Sequence, residues 1–122
     1  MTDVKLGAAT VRRIEESYEP NFDAKTFFPD WRPEVVQRHR RWLVPDHYDE
    51  PSGFLKLSVH SWLLEVSGRH ILIDTCVGNH KPRPHRPQWH LMETRYMERL
   101  KDAGVDADQI DMVMCTHLHV DH

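Results

Sequence analysis

The sequence contains few of the features that mark secreted, membrane or nucleic-acid-binding proteins. Two cysteines, Cys76 and Cys115, cannot build a disulfide framework, and we expect both to pack as small apolar residues. There is no run of about 18 apolar residues and no N-terminal signal pattern. Lys and Arg number 16 against 19 Asp and Glu, so the positive excess needed for general phosphate binding is absent. These absences predict a soluble, cytoplasmic protein that acts on a small molecule, with no nucleic-acid or membrane partner.

The sequence also lacks the Gly-x-Ser-x-Gly motif that presents a serine nucleophile. It is rich instead in histidine, and three of its ten histidines lie within residues 117–122. His117 and His119 are two positions apart, so in extended backbone they point the same way and can bind one metal ion. Asp121 and His122 are adjacent and would diverge on a strand, so we predict a turn after His119. Four potential ligands after an apolar strand predict a binuclear hydrolytic metal site.

This His-x-His-x-Asp-His pattern follows the apolar stretch 111–116 and resembles the signature of the metallo-β-lactamase superfamily. Residues 70–78, His-Ile-Leu-Ile-Asp-Thr-Cys-Val-Gly, are similar to the strand of that family that ends in Asp-Thr-Gly. Cys76 stands where the family usually has glycine. The resemblance is specific over residues 55–122 and loose before them.

The resemblance implies an α/β fold, the αββα sandwich of that superfamily, of which this chain supplies the N-terminal half. Residues 1–122 would then be the N-terminal part of a single domain, apparently truncated at the metal-binding motif, with further ligands from the second half. It implies that His117 and His119 bind the first ion and that Asp121 and His122 bind the second. It also implies that Asp74 holds the metal-binding loop by hydrogen bonds without binding metal, although a simple turn cap is the alternative.

The chemistry expected from these residues follows from their donor atoms. Nitrogen and oxygen ligands suit two divalent ions, zinc first, with iron, manganese or cobalt as alternatives. A hydroxide that bridges two such ions can attack a carbonyl carbon or phosphorus, and Asp121 can orient it or carry its proton, which makes Asp121 the candidate catalytic residue. We predict hydrolysis of an ester or lactone. A phosphodiester or organophosphate hydrolase of the same superfamily and an inactive fragment lacking the second half of the site are the alternatives, and a homodimer is left open.

Hydrophobic periodicity predicts the elements that carry the site. They are an opening hairpin around Gly7, an unpatterned stretch over residues 20–28, a helix from an Asp30 cap to Leu43 and a strand over 55–66 whose side-chain alternation shifts near 60–61. After it come a turn at Ser67-Gly68, a strand over 71–73, a helix over 89–103, a capping box from Asp106 to Gln109 and a strand over 111–116.

Residues 81–87, Lys-Pro-Arg-Pro-His-Arg-Pro, contain three prolines and cannot form a helix or a central strand. We predict an extended, stiff surface loop. Because it follows Asp74 closely, it is either a solvated connector or a border of the active site that favours negatively charged substrates.

Overall fold

The computed structural model describes residues 3–122 and separates into two compact units. The first comprises Met1–Ser17 and Val59–His122, and the second comprises Tyr18–Ser58. The single domain predicted over residues 1–122 stays a prediction, and its first two residues lie outside the described part of the chain.

The strands form one six-stranded sheet in the order β1-β2-β4-β5-β6, with β3 paired to β4. Their bounds are β1 Val4–Leu6, β2 Ala9–Asp23, β3 Tyr48–Asp49, β4 Phe54–Val66, β5 Arg69–Ile73 and β6 Met112–Met114. Pairing is antiparallel between β1 and β2, β3 and β4, and β4 and β5, whereas β5 and β6 run parallel. The helices are α1 Ala24–Phe27, α2 Pro33–Leu43 and α3 Tyr96–Asp102, with 3₁₀ turns at Pro87–Trp89 and Ala107–Gln109.

The core of the first unit lies between the sheet and the segment that connects β5 to β6. Ile14 of β2, Leu63 of β4 and Leu72 of β5 meet Leu100 of α3 and Val105 in one buried cluster. Leu63 is fully buried, and the other four are at most 6% exposed. A helix that crosses over between parallel strands and packs on the sheet face is the expected α/β arrangement.

Several predicted elements are confirmed at residue level. The opening hairpin pairs Leu6 with Ala9, and the second hairpin turns at Ser67 and Gly68 with φ of 51° and 71°. The capping box between Asp106 and Gln109 is present. Helix α2 ends at Leu43 as expected, but it begins at Pro33 after Arg32, so Asp30 isn't its cap.

The predicted change in side-chain alternation at residues 60–61 is wrong. Val59, Ser61 and Leu63 are all buried, so the same face of β4 points inward throughout. Ser61 is tolerated there because its hydroxyl lies 2.6 Å from the Tyr96 hydroxyl and forms a hydrogen bond.

The predicted helix over residues 89–103 is wrong in its first half, because α3 begins only at Tyr96. Leu91 has a φ of 49°, which no α-helix contains. The Asn79 side chain accepts a hydrogen bond from the Thr94 amide and donates one to the Thr94 carbonyl. These backbone groups of Thr94 are therefore engaged by a side chain in place of the hydrogen bonds of a helix.

Residues 20–28 have regular secondary structure although their sequence shows no hydrophobic periodicity. Strand β2 continues to Asp23, and the Asp23 carboxylate then accepts a hydrogen bond from the Thr26 amide and caps α1. Within residues 3–122, no helix is both long enough and apolar enough to cross a membrane.

The core cluster predicts how much stability one side chain contributes. Leu63→Ala should lower the free energy of unfolding by about 2–5 kcal/mol, because it removes buried methyl groups and leaves a cavity. Leu6→Ala is the control, since Leu6 is 64% exposed, and its change should stay within about 0.5 kcal/mol. Urea denaturation measures both; similar values for the two variants would contradict this core.

Candidate metal centre

The candidate centre lies where two parallel strands end side by side. Ile73, the last residue of β5, pairs with Met114, the last residue of β6. The Asp74 amide then donates a 2.7 Å hydrogen bond to the Met114 carbonyl, which brings Asp74 beside the start of the histidine motif. The carboxyl ends of parallel strands are where α/β proteins place their sites, because both chains leave the sheet at the same edge.

The Asp74 carboxylate joins the loop after β5 to the histidine motif. It is 4% exposed and accepts hydrogen bonds from the Thr116 amide at 2.7 Å, the Thr116 hydroxyl at 2.8 Å and His122 Nδ1 at 2.9 Å. Burial alone would raise the pKa of Asp74, but the hydrogen bonds from His122 and Thr116 outweigh it, so its pKa is lowered. The carboxylate is therefore held in its charged form.

The four predicted ligands include two close pairs of donor atoms, and the His117 ring also lies 4.0 Å from the His122 ring, centroid to centroid. His117 Nε2 is 3.2 Å from His119 Nδ1, and His122 Nε2 is 3.5 Å from an Asp121 oxygen. Two donors bound tetrahedrally to one zinc ion, each at about 2.0–2.1 Å, are about 3.3 Å apart. Both pairs therefore have the separation that one shared ion requires.

Hydrogen bonds to Asp74 and Thr116 orient two of these imidazoles. His122 donates its Nδ1 hydrogen to Asp74, which leaves the Nε2 lone pair free. The Thr116 hydroxyl has one hydrogen, which is directed to Asp74, so it accepts the Nδ1 hydrogen of His117 at 3.0 Å. Asp74 thus sets the tautomer of His122 directly and that of His117 through Thr116.

The predicted turn after His119 is confirmed, since residues 120–121 form a turn and the His122 amide donates to the His119 carbonyl at 3.2 Å. Across residues 3–122, no three His, Cys, Asp or Glu side chains form a group that could hold a metal ion. The donor atoms fit divalent metals, but each pair supplies two ligands where three or four are needed. The metal-binding roles of His117, His119, Asp121 and His122 stay predictions, as does the supporting role of Asp74.

Glu16 supports the same loop and was missed in the sequence. Its side chain is 3% exposed, and its two oxygens accept hydrogen bonds from the amides of Val77 and Gly78 at 2.9 and 2.7 Å. Glu16 follows Ile14 by two positions on β2, so it faces the same side as a core residue. An acidic residue two positions after an apolar residue of the same strand, and therefore on its buried face, is the signal that could have identified Glu16.

A buried polar cluster lies beneath the loop. The Ser61 hydroxyl contacts the Tyr96 hydroxyl at 2.6 Å and Cys76 Sγ at 3.3 Å. Desolvation by burial raises the pKa of both Cys76 and Tyr96 to about 12, so both groups stay protonated at neutral pH. Cys76 has a φ of 64°, a conformation that glycine adopts most easily, which explains the family's preference for glycine at this position.

Both cysteines are free, but only Cys76 is buried. The expectation that Cys115 packs as a small apolar residue is wrong. Cys115 directly follows β6, which pairs only with β5 among the described strands, so no neighbouring strand covers it.

The sheet order and the crossover helix define an α/β fold, with histidine and aspartate side chains at the carboxyl ends of two parallel strands. A model of the metallo-beta-lactamase superfamily matches residues 55–122, and the chain belongs to that superfamily. No curated protein sequence matches the chain.

Three solved structures of this superfamily fold are similar to the chain. The hydrolase AbOPH of the beta-lactamase superfamily has a TM-score of 0.69 at 20% identity, over 98% of this chain and 36% of its own. A probable metal-dependent hydrolase from Staphylococcus aureus has a TM-score of 0.71 at 19% identity, over 98% and 41%. AidC, a dizinc quorum-quenching lactonase in complex with a product, has a TM-score of 0.71 at 20% identity, over 99% and 37%. The chain thus spans about two fifths of the length of these structures and matches the N-terminal half of the predicted αββα sandwich.

The contacts of Asp74 predict a defect in metal binding when its charge is removed. Asp74→Asn should weaken zinc binding by about 10–100-fold, because one acceptor oxygen becomes an amide that faces Thr116 or His122. Competition with a chromophoric chelator measures the affinity. Asp102→Asn on the exposed end of α3 is the matched control, and equal zinc affinity in the two variants would contradict the role of Asp74.

The raised pKa of Cys76 predicts a thiol that doesn't react. In a Cys115→Ser variant, Cys76 should resist an aryl disulfide reagent at pH 8, where a group with a pKa of about 12 is thiolate in roughly one molecule in ten thousand. The same variant should release one equivalent of reporter after denaturation. Rapid labelling of the folded variant would show that Cys76 is accessible and ionised.

Proposed function

We propose that this chain is the N-terminal part of a binuclear metal-dependent hydrolase that cleaves an ester or a lactone. The observation that carries the proposal is the pairing of donors at 3.2 and 3.5 Å, each pair matched to one ion. Two pairs in one short loop support two ions close together, the arrangement that hydrolytic sites use.

His117 and His119 would hold one ion, and Asp121 and His122 would hold the other, with further ligands completing each site. Bound divalent ions would polarise the oxygen of the scissile group and supply hydroxide at neutral pH. Zinc is the first candidate for both ions, because its preferred ligands include imidazole nitrogen and carboxylate oxygen.

The residues of this chain orient that chemistry. Asp74 and Thr116 fix which nitrogen of His122 and of His117 faces the ion. Asp121 has a second role as the carboxylate that orients the attacking water and accepts its proton, because it is half-buried beside His122.

The choice of ester or lactone draws support from AidC, which is a dizinc lactonase and shares this fold. Hydrolysis of a phosphodiester or an organophosphate is the alternative, and an inactive fragment is a further one. Comparing a lactone with an aryl phosphodiester as substrates of the full-length protein separates the first two. A small-molecule substrate, a cytoplasmic location and a homodimer are parts of this proposal that rest on the sequence alone.

Removing one imidazole of the first pair should abolish hydrolysis. His117→Ala or His119→Ala in the full-length protein should reduce zinc-dependent turnover by at least about 100-fold, because a lost ligand costs more than a lost supporting hydrogen bond. The circular dichroism spectrum should be unchanged. His39→Ala, at a half-buried position of α2 beside Trp42, is the control and should keep full activity.

Chelation supplies the complementary measurement. The wild-type protein should lose activity when metal is removed and recover it when zinc is restored. Turnover that survives either the histidine substitutions or exhaustive chelation would rule out the proposed function.

A further inference from the structure

Residues 80–91 form a closed lobe, which we call the basic lobe, where the sequence predicted an extended loop. The His80 amide donates to the Met92 carbonyl at 2.9 Å, and the Leu91 amide donates to the Lys81 carbonyl at 3.0 Å. Inside the lobe, the Arg83 amide donates to His90 Nδ1 at 2.9 Å, and Trp89 is 5% exposed. These bonds fix the lobe in place, which a simple solvated connector wouldn't require.

The lobe carries positive charge and contains no acidic residue of its own. Residues 75–92 contain three cations, Lys81, Arg83 and Arg86, and neither Asp nor Glu, although the whole chain has a net charge of −3. Among residues 3–122, none of the three forms an ion pair. Arg86 lies over the Trp89 ring at 5.7 Å, and Arg83 donates to the Val77 carbonyl while its buried Nε has no partner.

Lys81 extends from the lobe back over the loop that follows β5. A β-carbon placed on Gly78 would meet Lys81 Cε at 2.9 Å and Nζ at 3.0 Å, so the lysine stem lies against the glycine backbone. Lys81 is an exposed residue, and its ammonium has no hydrogen-bond partner among the described residues. Glu16 is the nearby acid, but both of its oxygens are taken by the Val77 and Gly78 amides.

The loop under Lys81 is joined directly to the candidate centre. Gly78 is four residues after Asp74, so the two are at most about 14 Å apart along the chain. Asp121 lies 3.5 Å from His122, and His122 is hydrogen-bonded to Asp74 at 2.9 Å, so Asp121 is joined to the start of this loop as well. Lys81 is therefore carried by the segment that begins at the candidate centre.

We propose that Lys81 is a specificity-determining residue whose ammonium binds a carboxylate of the substrate, remote from the scissile bond. This inference rests on the proposed function, because it names the substrate class of the same site. A single ammonium matches a single negative charge as a point contact, whereas a planar guanidinium would favour bidentate recognition. The substrates are thus anionic esters or lactones.

A pair of esters that differ only in this charge tests the proposal. The probes are 4-nitrophenyl hexanoate, which is neutral, and the 4-nitrophenyl monoester of adipate, which has a carboxylate at the same chain length. In the zinc-loaded full-length protein, Lys81→Met should raise KM for the adipate ester by about 5–10-fold and leave KM for the hexanoate ester unchanged. Methionine keeps the unbranched stem that packs on Gly78, so the variant removes charge with little loss of contact.

Lys101→Met is the matched control, because Lys101 is also an exposed lysine of the first unit but lies on α3. It should change neither KM. Raising sodium chloride from about 50 to 300 mM should raise the wild-type KM for the adipate ester only, because salt screens exposed charges. Equal effects of Lys81→Met on the two esters, or of Lys81→Met and Lys101→Met on the adipate ester, would overturn the proposal.

Binding of adipate itself separates this proposal from the proposed function. Titration of adipate, followed by the NMR shift of the Gly78 amide, should saturate in the wild type and be weakened in Lys81→Met. If neither ester is hydrolysed but the titration depends on Lys81, the proposed reaction fails while the anion site stands. If the Gly78 signal doesn't respond to adipate, the anion site is wrong even when both esters are hydrolysed.

Discussion

The arrangement of the candidate centre depends on one buried carboxylate, that of Asp74. Burying a charge is costly unless it is fully hydrogen-bonded, and Asp74 meets this condition with three donors supplied by Thr116 and His122. All three donors come from the two ends of the histidine motif, since Thr116 directly precedes it and His122 ends it. The same bonds that stabilise the buried charge therefore shape the loop, and removing the carboxylate would release the motif at both ends.

The loop after β5 is strained, and its neighbours hold it in place. Asp74 and Cys76 have φ of 62° and 64°, and such conformations cost about 1–3 kcal/mol each in residues other than glycine. Glu16 binds two amides of the loop, and Ser61 contacts Cys76 from the sheet beneath. This strain places the Asp74 carboxylate under Thr116 and, four residues later, presents the glycine over which Lys81 lies. A single loop thus positions both the metal donors and the basic lobe.

The sequence predicted what is local and missed what depends on distant partners. The candidate ligands at 117–122 form a short motif, and the hairpin at Ser67-Gly68 and the capping box at Asp106 are decided by adjacent residues. Residues 89–95 have helical spacing, but the Asn79 side chain binds Thr94 and prevents the helix, and no pattern within the segment reveals that contact. Asp74 was identified only because residues 70–78 resemble a family motif. Its hydrogen bond to His122 joins residues 48 positions apart, and no local pattern reveals such a contact. Glu16 had no such motif and was missed.

The spacing of the motif also explains why the structure shows pairs of donors. Side chains two apart in extended backbone bring His117 beside His119, and the turn after His119 brings Asp121 beside His122. Strand β6 lies at the end of the sheet, and its residues Met112, Val113 and Met114 are 45–52% exposed. An apolar sheet edge is normally covered by further chain. Any element that packs on that edge would also lie beside the carboxyl end of β6 and the candidate donors that follow it.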